Sequence, residues 1–221
     1  MSSKILKQDK KANKHYENSQ GLHLNYEIIC DQIEPESKVL DLGCGAGELL
    51  KLLKDRKNVT GRGVEINEDN VIKCVGKGLS VFQGDIDEGL KDYQDNSFDY
   101  VILNQTLQCI HKPDYAIQEM LRVGRKIVIS FPNFGYWRVR FYLFLKGQMP
   151  KSAILPFEWF NTPNIHLLTI RDFQEFCRER KIKILKDIYM NKARIKNNLI
   201  LRTMPNFWAE EAIFIVQKDI N

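Results

Sequence analysis

Several common sequence features are missing from this chain, and each absence excludes a class of protein. The five cysteines are scattered, odd in number and form no Cys-x-x-Cys pair, so neither a zinc site nor a disulfide framework is indicated. No run of about 18 apolar residues occurs, which excludes a membrane-spanning helix, and residues 1–14 lack the apolar core of a signal peptide. We therefore expect a cytoplasmic protein in which cysteines are small buried side chains, without a bound metal.

A strong charge imbalance is also missing. The net charge is only +5 over 221 residues, which is not the footprint of a dedicated nucleic-acid binder. The apolar content of 43% is ordinary for a globular protein of this length. We expect a lysine-rich N-terminal arm over residues 1–20 and a single α/β domain over 21–221, with no internal repeat. The arm is either a solvated segment or a cover for a ligand site or an acidic partner.

The stretch over residues 39–49 is the most informative part of the chain. An apolar strand over residues 39–42 breaks at Gly43, Gly45 and Gly47, and a helix follows from Glu48. A strand that turns into a helix at glycines brings bare backbone close to a ligand, and the helix N-terminus offers free N–H groups. Many βα turns use glycine for purely structural reasons, so this motif alone also fits a structural turn.

Two acidic residues after the next strands favour a nucleoside ligand. Glu65 ends one apolar segment and Asp85 ends the following one, which suits carboxylates that bind ribose hydroxyls and an adenine amine. The combination resembles the class I S-adenosylmethionine-dependent methyltransferases. A dinucleotide-binding dehydrogenase is the alternative, but its Gly-x-Gly-x-x-Gly spacing is absent because the third glycine comes one residue early.

Alternating apolar segments predict a doubly wound sheet with right-handed crossovers. The segment 98–104 is almost continuously apolar and is expected to be central and parallel. Val71, Ile72 and Val75 are expected on one side of a helix, and Thr169 with Asp172 predicts a variant capping box. Strands are predicted at 39–42, 58–66, 79–84, 98–104, 126–131, 183–189 and 212–218, the last two as a hairpin with one antiparallel member, and helices at 48–54, 67–77, 115–123 and 169–181.

Four longer runs narrow the resemblance. Residues 78–90, 97–108, 130–140 and 159–173 look like the methionine biosynthesis protein MetW family, and the similarity extends over about residues 20–218. The resemblance implies a Rossmann-like class I methyltransferase fold, with a seven-stranded sheet that is mostly parallel and has one antiparallel strand. It also implies a link to methionine synthesis and a homoserine O-acyltransferase as partner. Ala46 departs from relatives that carry an acid there.

The donor site implied by this resemblance takes S-adenosylmethionine and releases S-adenosylhomocysteine. In it the glycines admit the methionine moiety, Glu65 accepts the ribose hydroxyls, and Asp85 with Ile86 holds the adenine. Asp41 either holds loop amides or reaches the donor ammonium through water. The predicted donor-binding residues are Asp41, Gly43, Cys44, Gly45, Gly47, Glu65, Ile66, Asp85, Ile86 and Asn104.

The acceptor end is less defined by sequence. Asn104 is followed by no proline, whereas methyltransferases acting on the amines of adenine or glutamine often carry an Asn/Asp-Pro-Pro-aromatic motif, so an O-, C- or other small-molecule acceptor is favoured. A hydroxyl acceptor needs a general base, and His111 and His166 are the candidates, although each also fits a structural role.

An aromatic helical segment over residues 134–145 leaves three interpretations open. Trp137, Phe141, Phe144 and Leu145 approximate one face. This face fits a core or lid helix, a protein–protein surface, or a membrane-surface contact. The functional hypotheses are therefore a small-molecule methyltransferase, a donor-binding regulatory subunit of a homoserine O-acyltransferase, and an RNA methyltransferase. The last is disfavoured because no RNA-binding domain or strong basic patch accompanies it.

Overall fold

A computed structural model describes residues 24–152, 155–191 and 199–219, and the predicted arm over residues 1–20 lies outside them. The strands are β1 Lys38–Leu42, β2 Thr60–Glu65, β3 Ser80–Gln83, β4 Phe98–Asn104, β5 Gly124–Pro132, β6 Ile182–Met190 and β7 Glu211–Lys218. The helices are α1 over 24–32, α2 Glu48–Lys57, α3 Glu68–Gly76, α4 Pro113–Val123, α5 Trp137–Lys146, α6 Ile170–Glu179, α7 Leu199–Thr203 and α8 Pro205–Trp208, with 3-10 turns at Ile86–Glu88 and Leu107–Cys109.

The described strands form one sheet in the order β3-β2-β1-β4-β5-β7-β6. Strand β7 runs antiparallel to both of its neighbours, and the other neighbouring pairs are parallel. The prediction of a mostly parallel sheet with one antiparallel strand is therefore confirmed. Strand β4 lies in the middle of the sheet, as its continuous apolar sequence predicted. Its side chains are buried on both sides because helices cover both faces of the sheet.

The core lies in two layers, one on each face of the sheet. Helices α4 and α6 pack on one face, where Phe131, Phe173 and Phe214 form a cluster of aromatic rings. Helices α1 and α2 cover the other face, against side chains such as Tyr100 and Ile102. Since side chains alternate along a strand, each strand contributes to both layers.

The apolar spacing of helix α3 does not identify the residue that the helix buries. Ile72 and Val75 are 62% and 61% exposed, and Cys74 is the residue that the helix buries. The reason is the position of the helix beside β3, which is the edge strand and is itself mostly exposed. A helix at an edge buries a narrower strip than the periodicity of its apolar residues suggests.

The C-terminal part confirms one local prediction and refines another. Thr169 caps α6 through a reciprocal pair, in which Thr169 Oγ1 accepts from Asp172 N (3.2 Å) and Asp172 Oδ2 accepts from Thr169 N (2.8 Å). Strands β6 and β7 pair as predicted, but α7 and α8 lie between them in sequence, so they do not form a tight hairpin. Within the described ranges, every helix is too short or too polar to cross a lipid bilayer.

Candidate functional site

The glycine turn joins β1 to α2 in a conformation that other residues adopt with strain. Gly43, Gly45 and Gly47 have φ angles of +68°, +56° and +81°, all left-handed. The amides of Gly43 and Cys44 donate to Val64 O at 2.8 and 3.2 Å, so the turn is fixed against the end of β2. A Cβ on Gly47 would lie 2.5 Å from Leu79 Cδ1, so a side chain there would require Leu79 to shift.

Glu65 connects this turn to the next helix. Its side chain is largely buried, with Oε2 accepting from Gly45 N at 2.8 Å and Oε1 accepting from Asn67 N at 2.9 Å. A carboxylate has about four acceptor positions, so ribose-type hydroxyls can still bind to it. Glu65 therefore both shapes the turn and presents negative charge at the carboxyl end of β2.

Asp85 and Asp87 organise the end of β3. Asp85 Oδ1 accepts from Asp87 N at 2.9 Å and so caps the 3-10 turn that follows. The two oxygens of Asp87 accept from the amides of His111 and Lys112 at 3.0 and 2.7 Å. These bonds tie the loop after β3 to the segment after β4, and together they close two walls of one cavity.

This cavity, which we call the donor cavity, has a volume of about 320 Å³, within the range of ligand sites. Carboxylates from two strand ends and aliphatic side chains alternate around it, which suits a nucleoside with polar edges and apolar faces. A Cβ on Gly45 would meet nothing within 4 Å among the described residues, so open space also lies beside the turn. The donor cavity is lined by Gly43, Val64, Glu65, Ile66, Gly84, Asp85, Ile86, Asp87, Thr106, Cys109, Ile110 and His111.

Five of the predicted donor-binding residues line the donor cavity, namely Gly43, Glu65, Ile66, Asp85 and Ile86, whereas Asp41, Cys44, Gly45, Gly47 and Asn104 are outside its lining. Asp41 is buried, and its burial, together with the charge of Glu65, raises its pKa to about 8. Cys44 packs with Leu50 and Cys74, and its burial raises the pKa of the thiol. The Asn104 side chain accepts from Ser130 Oγ and lies outside the cavity lining.

The two candidate histidines are not brought together. His111 lines the donor cavity beside the loop after β3, and its side chain is exposed. His166 lines a second cavity of about 460 Å³ between α4 and α6, with Leu107, Ile117 and Phe173. Its Nε2 atom is buried and has no hydrogen-bond partner in the part of the chain that the structure describes. Both remain predictions as site residues.

The sequence reasoning missed a polar pair at the same edge of the sheet. Asn25 of α1 is almost fully buried, and its Nδ2 donates to Glu211 Oε1 at the start of β7. Burial raises the pKa of Glu211 to about 7, and the side chains of Asn25 and Gln105 act in the opposite direction. The acidic residues just before the last apolar segment could have indicated this position. If the last strand is antiparallel, its first residues lie at the edge of the sheet where the parallel strands end.

Comparison with known proteins bears on this arrangement. The family model described as "Methionine biosynthesis protein MetW" matches residues 23–216. The chain belongs to the MetW family. This MetW chain is 37% identical over 177 residues to the bifunctional methionine biosynthesis protein MetXA/MetW of Rhodopirellula baltica, which covers 76% of the chain and 28% of that relative. It is 32% identical over 130 residues to the ubiquinone/menaquinone biosynthesis C-methyltransferase UbiE of Stenotrophomonas maltophilia, covering 51% of each.

Solved structures show the same fold. The MetW chain matches an S-adenosylmethionine-dependent methyltransferase from Thermotoga maritima, described as a possible histamine N-methyltransferase, with a TM-score of 0.64, 15% identity and coverage of 96% and 95% of the two chains. It matches an S-adenosylmethionine-dependent methyltransferase from Mesorhizobium loti with a TM-score of 0.61 and 14% identity, covering 83% of the MetW chain and 92% of the other. The predicted methyltransferase fold is thereby confirmed.

Proposed function

We propose that this MetW protein binds S-adenosylmethionine in the donor cavity and transfers its methyl group to a small molecule in a process linked to methionine synthesis. The observation that carries the proposal is that Gly43 of the glycine turn, Glu65 and Asp85 line one cavity. The UbiE relatives, which are named as C-methyltransferases, support the choice of methyl donor.

The residues present fit such a donor. Glu65 would accept the ribose hydroxyls, Asp85 would accept from the adenine amine, and Ile66 and Ile86 would contact the base. The positive φ angles of the glycine turn and the open space beside Gly45 would admit the methionine moiety next to the N-terminus of α2. The donor supplies a methyl group on a sulfonium, so the protein's main contribution is orientation, which lowers such barriers by ~7–11 kcal/mol.

Calorimetry with S-adenosylhomocysteine tests the donor site. We expect Glu65→Gln to weaken binding by ~1–3 kcal/mol, because the charged acceptor is lost and the single oxygen that remains can accept from only one of the two loop amides. Glu179→Gln removes the same charge from an exposed position on α6 and is expected to leave the affinity unchanged. NAD serves as the control nucleotide for the dinucleotide alternative.

Two results would count against the proposal. Wild-type protein that binds NAD and not S-adenosylhomocysteine would overturn the choice of ligand. Unchanged affinity of the Glu65→Gln variant would remove Glu65 from the site.

A second function is favoured by an exposed apolar surface, namely a donor-binding regulatory subunit. Residues between β5 and α6 expose large side chains, with Phe144 at 83%, Trp159 at 75% and Leu145 at 70%. Exposed aromatic side chains in such numbers are typical of protein interfaces. The relative in Rhodopirellula baltica joins MetW to MetXA in one chain, which supports a homoserine O-acyltransferase as the partner. We call this set the aromatic surface: Phe141, Tyr142, Leu143, Phe144, Leu145, Met149, Phe157, Trp159, Phe160, Ile165 and Leu167.

A further inference from the structure

A second group of polar side chains lies at the carboxyl edge of the sheet, on the face that α1 covers. Strand β7 runs antiparallel, so its first residue, Glu211, lies opposite Pro132, the last residue of β5. Ile213 and Ile215 pack in the layer beneath α1, and side chains two residues apart share a face. Glu211 is therefore directed toward α1, where it meets Asn25.

Asn25 carries an unsatisfied polar atom. The residue is 1% exposed, and its Nδ2 donates to Glu211 Oε1. Its Oδ1 is buried and has no hydrogen-bond partner among the residues that the structure describes. An unsatisfied buried acceptor is destabilising and is rare in native folds. A ligand group that donates a hydrogen bond would satisfy this atom and would at the same time meet the Glu211 carboxyl.

This group adjoins the donor cavity through Gln105 and Thr106. Thr106 lines the donor cavity, and Gln105, the residue before it, has a left-handed φ of +53°. Such strain in a residue other than glycine is concentrated at functional sites. The backbone amide of Gln105 donates to Ser130 Oγ and Ser130 O, at 3.0 and 3.1 Å. Its side-chain amide approaches the Glu211 carboxyl, but Nε2 does not complete a hydrogen bond with any described residue.

From this placement we propose that Glu211 and Asn25 form an acceptor subsite beside the donor cavity, which binds an amine or hydroxyl group through its hydrogen-bond donor. The inference rests on the proposed function, because the subsite needs a methyl donor next to it. In the transfer, a lone pair of the acceptor nitrogen or oxygen forms the new bond to the methyl carbon. The carbon–sulfur bond breaks with its electrons remaining on sulfur, and the acceptor proton passes to the Glu211 carboxylate.

The chemistry of Glu211 suits that role. Because burial raises its pKa to about 7, the carboxyl group can gain or lose a proton near neutral pH, as an efficient general base does. Asn25 holds it in place through the bond from Nδ2. His111, by contrast, is exposed, and its backbone amide donates to Asp87.

The test uses two nucleosides that differ at the position of the transferred methyl. Sinefungin carries an amine there, whereas S-adenosylhomocysteine carries nothing, so the ratio of their dissociation constants reports a carboxylate facing that position. We expect wild-type protein at pH 8 to prefer sinefungin and Glu211→Gln to reduce this preference about 10-fold or more, since hydrogen bonds between charged groups are the stronger ones. Glu211→Gln retains an oxygen for Asn25 Nδ2, and the exposed Glu179→Gln is the matched control.

The possible results separate the inference from the proposed function. A reduced preference with intact S-adenosylhomocysteine affinity supports the subsite, whereas an unchanged preference overturns it. If wild-type protein binds neither nucleoside, the proposed function fails and the subsite fails with it. Should Glu211→Gln not fold, Glu211→Asp keeps the charge but withdraws it by one methylene, and a preference equal to that of wild-type protein then overturns the subsite.

Discussion

The carboxyl groups along the ligand-binding edge of the sheet differ in what they contact. Glu65 accepts from two loop amides, whereas Asp85 caps a 3-10 turn with one oxygen. Asp41 is buried beneath the glycine turn, close enough to Glu65 for the two charges to repel. Because these environments differ, a substitution at each position is expected to affect a different property, namely ligand affinity at Glu65 and pH-dependent stability at Asp41.

Asp41 is predicted to make the protein less stable as the pH rises. Its pKa is raised from 3.8 to about 8 in the folded protein, so the folded state holds a proton that the unfolded state releases. The resulting stabilisation is fully present below about pH 4 and is lost as the pH approaches 8, with a slope of up to ~1.4 kcal/mol per pH unit. Asp41→Asn should remove this slope.

Urea unfolding of the nucleoside-free protein at pH 5 to 8 measures the effect. The raised pKa of Glu211 contributes in the same direction, so the difference between wild-type protein and Asp41→Asn isolates Asp41. Stability curves that stay parallel over this pH range would show that Asp41 is ionised in the folded state.

Site residues could be predicted where the local sequence marks them, but not where two residues far apart in the sequence meet only in the folded chain. Glu65 and Asp85 could be identified because each ends an apolar segment, and parallel strands end at one edge. Asn25 and Glu211 are 186 positions apart, and nothing local in either segment indicates that the two side chains meet. His166 was singled out by residue type, but only the packing of α4 against α6 shows that it lines a separate cavity.

At the scale of elements, the turn from β1 to α2 is the most constrained part of the site. All three of its glycines are left-handed, but they differ in their surroundings. Gly47 faces Cys74 and Leu79, which anchor α3 against the turn, whereas Gly45 faces open space. The same type of substitution should therefore have unequal effects.

Alanine at these two glycines separates backbone strain from crowding. Gly45→Ala adds only the left-handed penalty and should lower the free energy of unfolding by ~1–2 kcal/mol. Gly47→Ala adds overpacking against atoms 2.5 and 2.8 Å away and should lower it by ~2–5 kcal/mol. Urea denaturation measures both variants. Equal losses would mean that α3 moves freely to admit the methyl group.

Elements were predictable where one physical cause decides the pattern. Strand β4 was placed correctly because burial on both faces requires an unbroken apolar run, and the cap at Thr169 because the cap is local. The buried residue of helix α3 was not predictable, because periodicity does not say how much of a helix its neighbours cover. That depends on the order of strands, which places β3 at the edge.

At the scale of the whole molecule, the strand order distinguishes this fold from the dinucleotide-binding fold. A dinucleotide-binding fold has six strands in the order 3-2-1-4-5-6, whereas here β7 is inserted between β5 and β6 and runs antiparallel. The insertion brings the start of the last strand, and with it Glu211, to the edge where the parallel strands end. The resemblance to the MetW family implied a sheet with one antiparallel strand, whereas the spacing of the glycines does not predict the strand order.

The segment between β5 and α6 departs from the alternation of strands and helices, and the aromatic surface lies on it. Helix α5 and the segment after it pack together through Tyr136, Val139 and Leu155. Trp137 contacts Tyr136, Phe141 and Trp208, so it is part of this packing more than of the exposed face. Phe144 and Trp159 are far more exposed and are the better positions to test docking.

We predict that the aromatic surface binds the homoserine O-acyltransferase of the same organism. Phe144→Ser combined with Trp159→Ser should weaken the complex by about 30-fold or more, because two aromatic anchors at an interface together contribute ~2 kcal/mol or more. Sedimentation or co-purification of the two purified proteins measures the loss.

Ile72→Ser combined with Val75→Ser removes comparably exposed apolar side chains from α3 and serves as the control. The affinity for S-adenosylhomocysteine should stay the same in both variants, since neither pair lines the donor cavity. A complex that survives the Phe144 and Trp159 substitutions would move the docking site elsewhere, and a wild-type protein that forms no complex would leave methyl transfer as the function to pursue.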